Sequence, residues 1–80
     1  MARLVCDPQE GVDYYEVTID GETQIVDAID TRLDLDVTNV TEGDHICEVA
    51  ACNEWGCSTP TPFDFTKALP SAPTGVAIIG

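Results

Sequence analysis

The sequence predicts an all-β domain, a two-sheet antiparallel sandwich, and three observations predict it. Apolar residues recur with a period of two through most of the chain, turn sequences separate these runs at short intervals, and no stretch carries the roughly 3.6-residue period of a helix. Short strands with turns at this spacing are the pattern of a β-sandwich. The eighty residues make one small domain, and a core of that size is marginal without staples or partners.

The strands follow in order. Tyr15, Val17 and Ile19 alternate with Glu16 and Thr18, and Asp20-Gly21 then supplies a hairpin turn, since both residues tolerate positive φ. The return strand covers residues 23–26, with Ile25 or Val26 facing inward. Leu33, Leu35 and Val37 alternate with Asp34 and Asp36, which reads as a half-buried strand. Thr41-Glu42-Gly43-Asp44 is turn chemistry. Beyond it His45, Cys47, Val49 and Ala51 share one face, and Ile46, Glu48, Ala50 and Cys52 the other. Asn53-Glu54-Trp55-Gly56 turns the chain into a last strand over 57–66, on which Phe63 and Phe65 face alike. Pro60 and Pro62 lack the N–H an inner strand needs, so this strand is expected at an edge.

Charge excludes several functions. Three basic against fifteen acidic residues give a net charge of −12, the wrong sign for a phosphate backbone or an anionic membrane. No apolar run approaches the roughly 18 residues of a spanning helix, and the first residues lack the pattern of a signal peptide. Fourteen of the fifteen acids lie between Asp7 and Glu54, and residues 66–80 carry none. Nine Asp and six Glu against one Lys resemble the surface of a salt-adapted protein, in which screening relieves self-repulsion; an acidic domain of ordinary habitat is the alternative.

The stretch Gly43-Asp44-His45-Ile46-Cys47-Glu48-Val49-Ala50-Ala51-Cys52-Asn53-Glu54-Trp55-Gly56-Cys57-Ser58 resembles the F–G hairpin of fibronectin type III and related bacterial immunoglobulin-like domains. The resemblance implies strand B at residues 4–7, C at 14–19, C′ at 23–26, E at 33–37, F at 45–53 and G at 57–65. His45 stands where that family usually carries the tyrosine-corner Tyr, and an imidazole there is expected to donate to a nearby backbone carbonyl.

At the two ends the chain departs from the family. Strand B begins almost at Met1, and the Pro-containing segment that resembles strand A lies at the other end, in Pro70-Ser71-Ala72-Pro73-Thr74-Gly75-Val76-Ala77-Ile78-Ile79. The expected organisation is a sandwich over residues 1–66 and an extended apolar arm over 67–80. In the family, A and G run the same way. Crossing a domain of about 35 Å to reach A's starting pole takes about 10 extended residues, and residues 67–70 are too few. The arm is therefore expected to serve as an assembly strand, presenting Pro70, Pro73, Val76, Ile78 and Ile79 to the open edge beside strand B of a second copy. The alternative is an arm without a partner, or one packed on its own domain.

Four cysteines allow three pairings. The immunoglobulin-like frame implies a B–F bridge, Cys6–Cys47, with two buried apolar thiols as its alternative. Cys52 and Cys57 flank the hairpin turn at a separation suited to a bridge. Without a C-x-x-C and with one His, a zinc site would need all four cysteines, and no metal or other cofactor is expected. His45 and Cys47 lie on one face of a strand, but in a water-excluded core with no orienting third group they do not make a nucleophile pair, so no catalytic residues are expected. The pairs Asp34/Asp36 and Asp27/Asp30 offer hard oxygen ligands for calcium, yet Asp34 and Asp36 alternate with core residues as a solvated face does. Trp55, at the hairpin tip, is the leading recognition residue, with folding back over Cys52 and Cys57 as its alternative.

These observations predict a non-enzymatic structural or interaction module that is a homo-oligomer or binds a larger protein scaffold such as a capsid, without nucleic acid or membrane insertion. Such a module resembles the small β-sandwich proteins that decorate or build phage and virus particles, and its expected place is a virion or the extracellular space. A secreted or cell-surface adhesion module, or a filament subunit, is the competing expectation, with the F–G loop binding ligand.

Overall fold

A computed structural model describes all residues, Met1–Gly80. The chain is all-β: nine strands, every pairing antiparallel, and no helix. β1 (Arg3–Val5) pairs with β4 (Asp34–Asp36), Leu4 lying opposite Leu35. The largest sheet has the order β3 (Glu22–Asp27), β2 (Tyr14–Ile19), β6 (Cys47–Asn53) and β7 (Gly56–Cys57), with β8 (Thr61–Pro62) also on β6. β5 (Gly43–His45) and β9 (Phe65–Lys67) form a third ladder, which continues the line of β6 and β8.

Local chemistry explains the best-formed part. β2 and β3 pair from Tyr14↔Asp27 to Ile19↔Glu22, closed by Asp20 and Gly21 at φ 52° and 86°. Two positive φ values in a two-residue loop make the type I′ turn whose twist matches the flanking strands. Asp20 then acts beyond the turn. Its Oδ1 accepts the Ile46 N–H at 2.9 Å, and its own N–H donates to Ile46 O at 2.8 Å. The residue that interrupts the expected strand F, Ile46 between β5 and β6, is thus held by a turn residue instead of a ladder partner.

The expected strand G is likewise broken into β7, β8 and β9. Ser58 bridges the first gap, donating its N–H to Ala51 O at 2.8 Å and accepting the Ala51 N–H on Oγ at 3.0 Å. Phe63 N–H bonds Cys47 O at 2.8 Å across the second. Pro62 sits in β8 with only β6 beside it, an edge position as its missing donor requires.

The core is small. Leu4, Val12, Tyr15, Val17, Leu33 and Cys47 form one buried cluster, flanked by partly buried Ile19, Leu35, Val37 and Phe65. His45 at the end of β5 and Cys47 at the start of β6 are buried as expected, but Val49 and Ala51, farther along β6, are only half-buried. Ala50 and Cys52, on the opposite face, are buried instead. The last paired residue is Lys67. Residues 68–80 are exposed throughout and belong to no strand, which gives the chain its longest dimension of 65 Å against 26 and 15 Å across.

Candidate functional site

Val49 and Ala51 are half-buried because the core is open along one side. They line a cleft of about 480 Å³ together with Leu4 and Cys6 at the end of β1, Tyr15 and Leu33 on its floor, and Thr61 and Phe63 across from β1. None of the residues of β4 lines it, so the cleft runs along the edge of β1 that faces away from β4. Val37 N–H bonds Ala2 O, which sets the ladder so that Ala2 and Leu4 bond toward β4. By alternation, Arg3 and Val5 turn their N–H and C=O groups toward the free side. Arg3 and Asp7 are the charged residues of the lining, and they carry opposite signs.

The ends of the fold are distinct. At one pole stand Trp55, Gly11 and the bridge, where Asn53 Nδ2 donates to Gly11 O at 3.2 Å. At the other, Lys67 Nζ donates to Thr38 O and Val40 O, both at 2.8 Å. β1 climbs from the Lys67 pole, where Ala2 N–H bonds Thr38 Oγ1, toward the Trp55 pole, where Gln9 N–H bonds Thr31 O. β7, β8 and β9 run the opposite way, and the arm leaves from the Lys67 pole. Along it Leu69 is 62% exposed, Val76 80%, Ile78 100% and Ile79 97%, and Pro70 and Pro73 are exposed too.

At the Trp55 pole the Cys52–Cys57 bridge is formed, with Cα atoms 4.0 Å apart. It closes the hairpin around Glu54 and Trp55, whose N–H bonds Asn53 Oδ1 at 2.8 Å. Trp55 is 90% exposed and stands clear of the hairpin. Glu16 Oε2 rests 3.0 Å from Cys57 Sγ and 3.6 Å from Cys52 Sγ. The three side chains cluster as metal ligands do, but sulfurs committed to a disulfide are not thiolate donors.

The second expected bridge is corrected. Cys6 and Cys47 are both free thiols. Facing inward from two sheets is not enough, because the two must also lie at one level. Cys47 lies opposite Ile19, whereas Cys6 lies beside Tyr15, which pairs with Ala51. Four residues of β2 separate those levels, about 13 Å, and a bridge needs Cα atoms within about 7 Å. Each thiol has its own setting. Burial pushes the Tyr15 phenol up to about 12, with the Cys6 thiol beside it adding to the effect. The Tyr15 hydroxyl donates to Thr31 O at 2.7 Å. Burial also pushes the Cys47 thiol up, reinforced by the carboxylates of Asp64, Asp20 and Glu48, so Cys47 stays neutral and unreactive.

His45 is buried at the end of β5, just before the break at Ile46. Its Nε2 lies 2.6 Å from Thr41 O, a backbone carbonyl a few residues upstream, and its Nδ1 lies 2.6 Å from Asp20 Oδ2. A carbonyl and a carboxylate both accept, so the imidazolium, with two N–H groups, is the form that satisfies both. The Thr41 carbonyl and then Asp20 raise the His45 pKa; the Ile46 N–H and then His45 lower that of Asp20. Phe65 stacks on the ring at a centroid distance of 5.2 Å. The expected donation to a carbonyl is found; the Asp20 partner was not foreseen, because Asp20 read only as a turn residue.

The acid pairs are occupied otherwise or open to solvent. Arg3 Nε donates to Asp34 Oδ1 at 2.6 Å. Asp36 accepts the Thr38 N–H at 2.9 Å, and hydrogen bonding from Thr38 holds its pKa below the usual carboxylate value. Asp27 and Asp30 are exposed. The sequence pattern points to an open edge beside the first strand and puts Val49 and Ala51 on one face with His45 and Cys47, and Phe63 on one face with Phe65, but it does not show the cleft that Val49, Ala51 and Phe63 line. No protein-family model matches the chain, and neither a curated protein nor a solved structure is significantly similar to it.

Proposed function

We propose that this chain is a non-enzymatic structural module, a fibronectin type III-like or immunoglobulin-like two-sheet sandwich that assembles with protein partners through its C-terminal arm. On this reading β1 and β4 are strands B and E of one sheet. β3, β2, the β5–β6 line and the β7–β9 line are C′, C, F and G of the other. The observation that carries the functional reading is the arm: thirteen residues, all exposed, without an acidic group and ending in Val76-Ala77-Ile78-Ile79, on a chain of net charge −12. Exposed apolar surface of this kind marks an interaction site. Repulsion between acidic bodies makes the acid-free arm the segment best able to approach another copy.

The repeating protein scaffold that suits such a subunit best is a phage or virus particle, which it would build or decorate with its acidic surface outward. Light scattering tests the assembly. The full chain is expected to form oligomers, more readily in high salt, and a chain ending at Lys67 to remain a monomer; compact monomers from both would overturn the reading. Mass spectrometry of purified particles tests the location, where a stoichiometric copy number is expected and a protein found only free in solution argues against it. The exposure of Trp55 at a bridged hairpin tip favours a second reading, a secreted or surface adhesion module that takes ligand at that pole.

A further inference from the structure

We propose that the cleft beside β1 is the acceptor for the arm of a second copy, whose residues 76–79 add a strand to the free edge of β1, antiparallel to it. The proposal rests on the reading of the arm as an assembly segment and specifies where it lands.

Three observations select this acceptor and this occupant. Open backbone stands on both partners: Arg3 and Val5 direct their amide groups away from β4, and residues 68–80 belong to no ladder. Other edges are guarded as edge strands usually are, by Pro60 and Pro62 around β8, by Asp34 and Asp36 on β4, and by Glu22 and Asp27 at the ends of β3. Beside β1 the cleft reaches down to buried Leu4, Tyr15 and Leu33 and is walled by half-buried Val49 and Ala51 and exposed Phe63. Charge matches as well, because Arg3 and Asp7 cancel in the lining and the paired segment of the arm has no charge.

Direction fixes the rest. β9 runs toward the Lys67 pole and the arm continues from it. An arm entering another copy at its Trp55 pole travels toward that copy's Lys67 pole, antiparallel to β1. Residues 76–79 span about 13 Å, a length that matches β1 and its flanks. With a period of two, Val76 and Ile78 fall on one face and enter the cleft, leaving Ala77 and Ile79 outward. Residues 68–75 are long enough, at about 27 Å extended, to bridge two bodies. The contact is heterologous, so successive copies build a filament or, if the rotation closes, a ring.

Hydrogen exchange on the full chain, read with its mass by light scattering across a dilution series, tests this. Oligomers at high concentration are expected to slow exchange at the Arg3 and Val5 amides at least ~10-fold relative to the dilute monomer. Ile78→Asp, at a fully exposed position that the fold does not use, is expected to leave a folded monomer with both amides exchanging fast. Oligomers that vanish with Ile78→Asp but leave Arg3 and Val5 unprotected would overturn this acceptor while arm-mediated assembly stands. Oligomers indifferent to Ile78→Asp, a wild-type chain that stays monomeric, or oligomers joined covalently through Cys6 on non-reducing gels would overturn both.

Discussion

The two flanks of this small core are built to different standards. On one, β2 lies between β3 and β6 with a ladder on each side, and Val17 at its centre is fully buried. On the other, the three-residue β1 is paired only with β4, and the core residues it should cover look into a cleft. The first flank is finished by local rules: alternation, a type I′ turn and cross-strand pairing. The second has the same alternation but a single ladder, between β1 and β4. Along its free edge Val49 and Ala51 stay half-buried and Phe63 exposed, and the arm carries further exposed apolar side chains.

The sharpest way to break this comparison is to truncate one core side chain on each flank. Val17, at the centre of β2, is fully buried and does not line the cleft. Val17→Ala is expected to cost about 2–3 kcal/mol of unfolding free energy, the lost burial of two methyl groups plus the cavity left behind. Val49 is half-buried against the open cleft. Val49→Ala is expected to cost less than ~1 kcal/mol in the monomer, since part of its surface is already in water. Urea denaturation of both variants checks the contrast. Equal losses would mean that the cleft is as well packed as the closed side. In assembled protein the Val49 cost should rise, because a donated strand would then cover it.

How legible each flank was in the sequence follows the same division. The β2–β3 hairpin was readable to within one residue at each end of β3, because alternation and Asp20-Gly21 are local signals. The Cys52–Cys57 bridge was readable because both residues flank one turn. The breaks at Ile46 and in the last strand were not, since they depend on Asp20 and Ser58 meeting strands far along the chain. The expected Cys6–Cys47 bridge failed for a related reason: a period of two says which face a residue takes but not its level along a strand. The cleft itself was only half legible, as an open edge without the residues that line it.

A smaller effect sharpens the comparison at the stitch between the flanks. Asp30 and Thr31 both have positive φ, at 51° and 65°, between the bridged residues Ile29 and Arg32. For a β-branched residue this is an unfavourable backbone state. The Thr31 carbonyl accepts from the Tyr15 hydroxyl of the closed flank and from Gln9 N–H, beyond β1, at 3.1 Å. Both bonds use the backbone, so a glycine keeps them. Thr31→Gly, which turns the loop into an Asp-Gly type I′ sequence, is expected to raise stability by about 1 kcal/mol as strain is released. A thermal melt that moves down instead would show that the Thr31 side chain is needed there.

The smallest effect concerns the Lys67 pole, where β5 and β9 close the sheet without a covalent bridge and the imidazolium of His45 takes that role. The sign of its pH dependence follows from both partners. Because the folded pKa of His45 is raised, its contribution is fully present below the unfolded value of about 6.5 and is lost as pH rises through the folded value. Because the folded pKa of Asp20 is lowered, its contribution is present above the unfolded value of about 3.9 and is lost as pH falls through the folded value. The pair therefore supports the fold best between about pH 4 and 6.5. General repulsion also grows with pH on a chain of −12, so the informative quantity is the difference between wild type and His45→Gln, measured in high salt to screen that background. The difference in urea midpoint should be largest in that window and shrink toward alkaline pH, where neutral His45 keeps one donor for two acceptors. A difference that stays constant above neutral pH would mean that His45 stabilises the pole by stacking on Phe65 alone, and that the hydrogen bonds to Thr41 and Asp20 add nothing that depends on its charge.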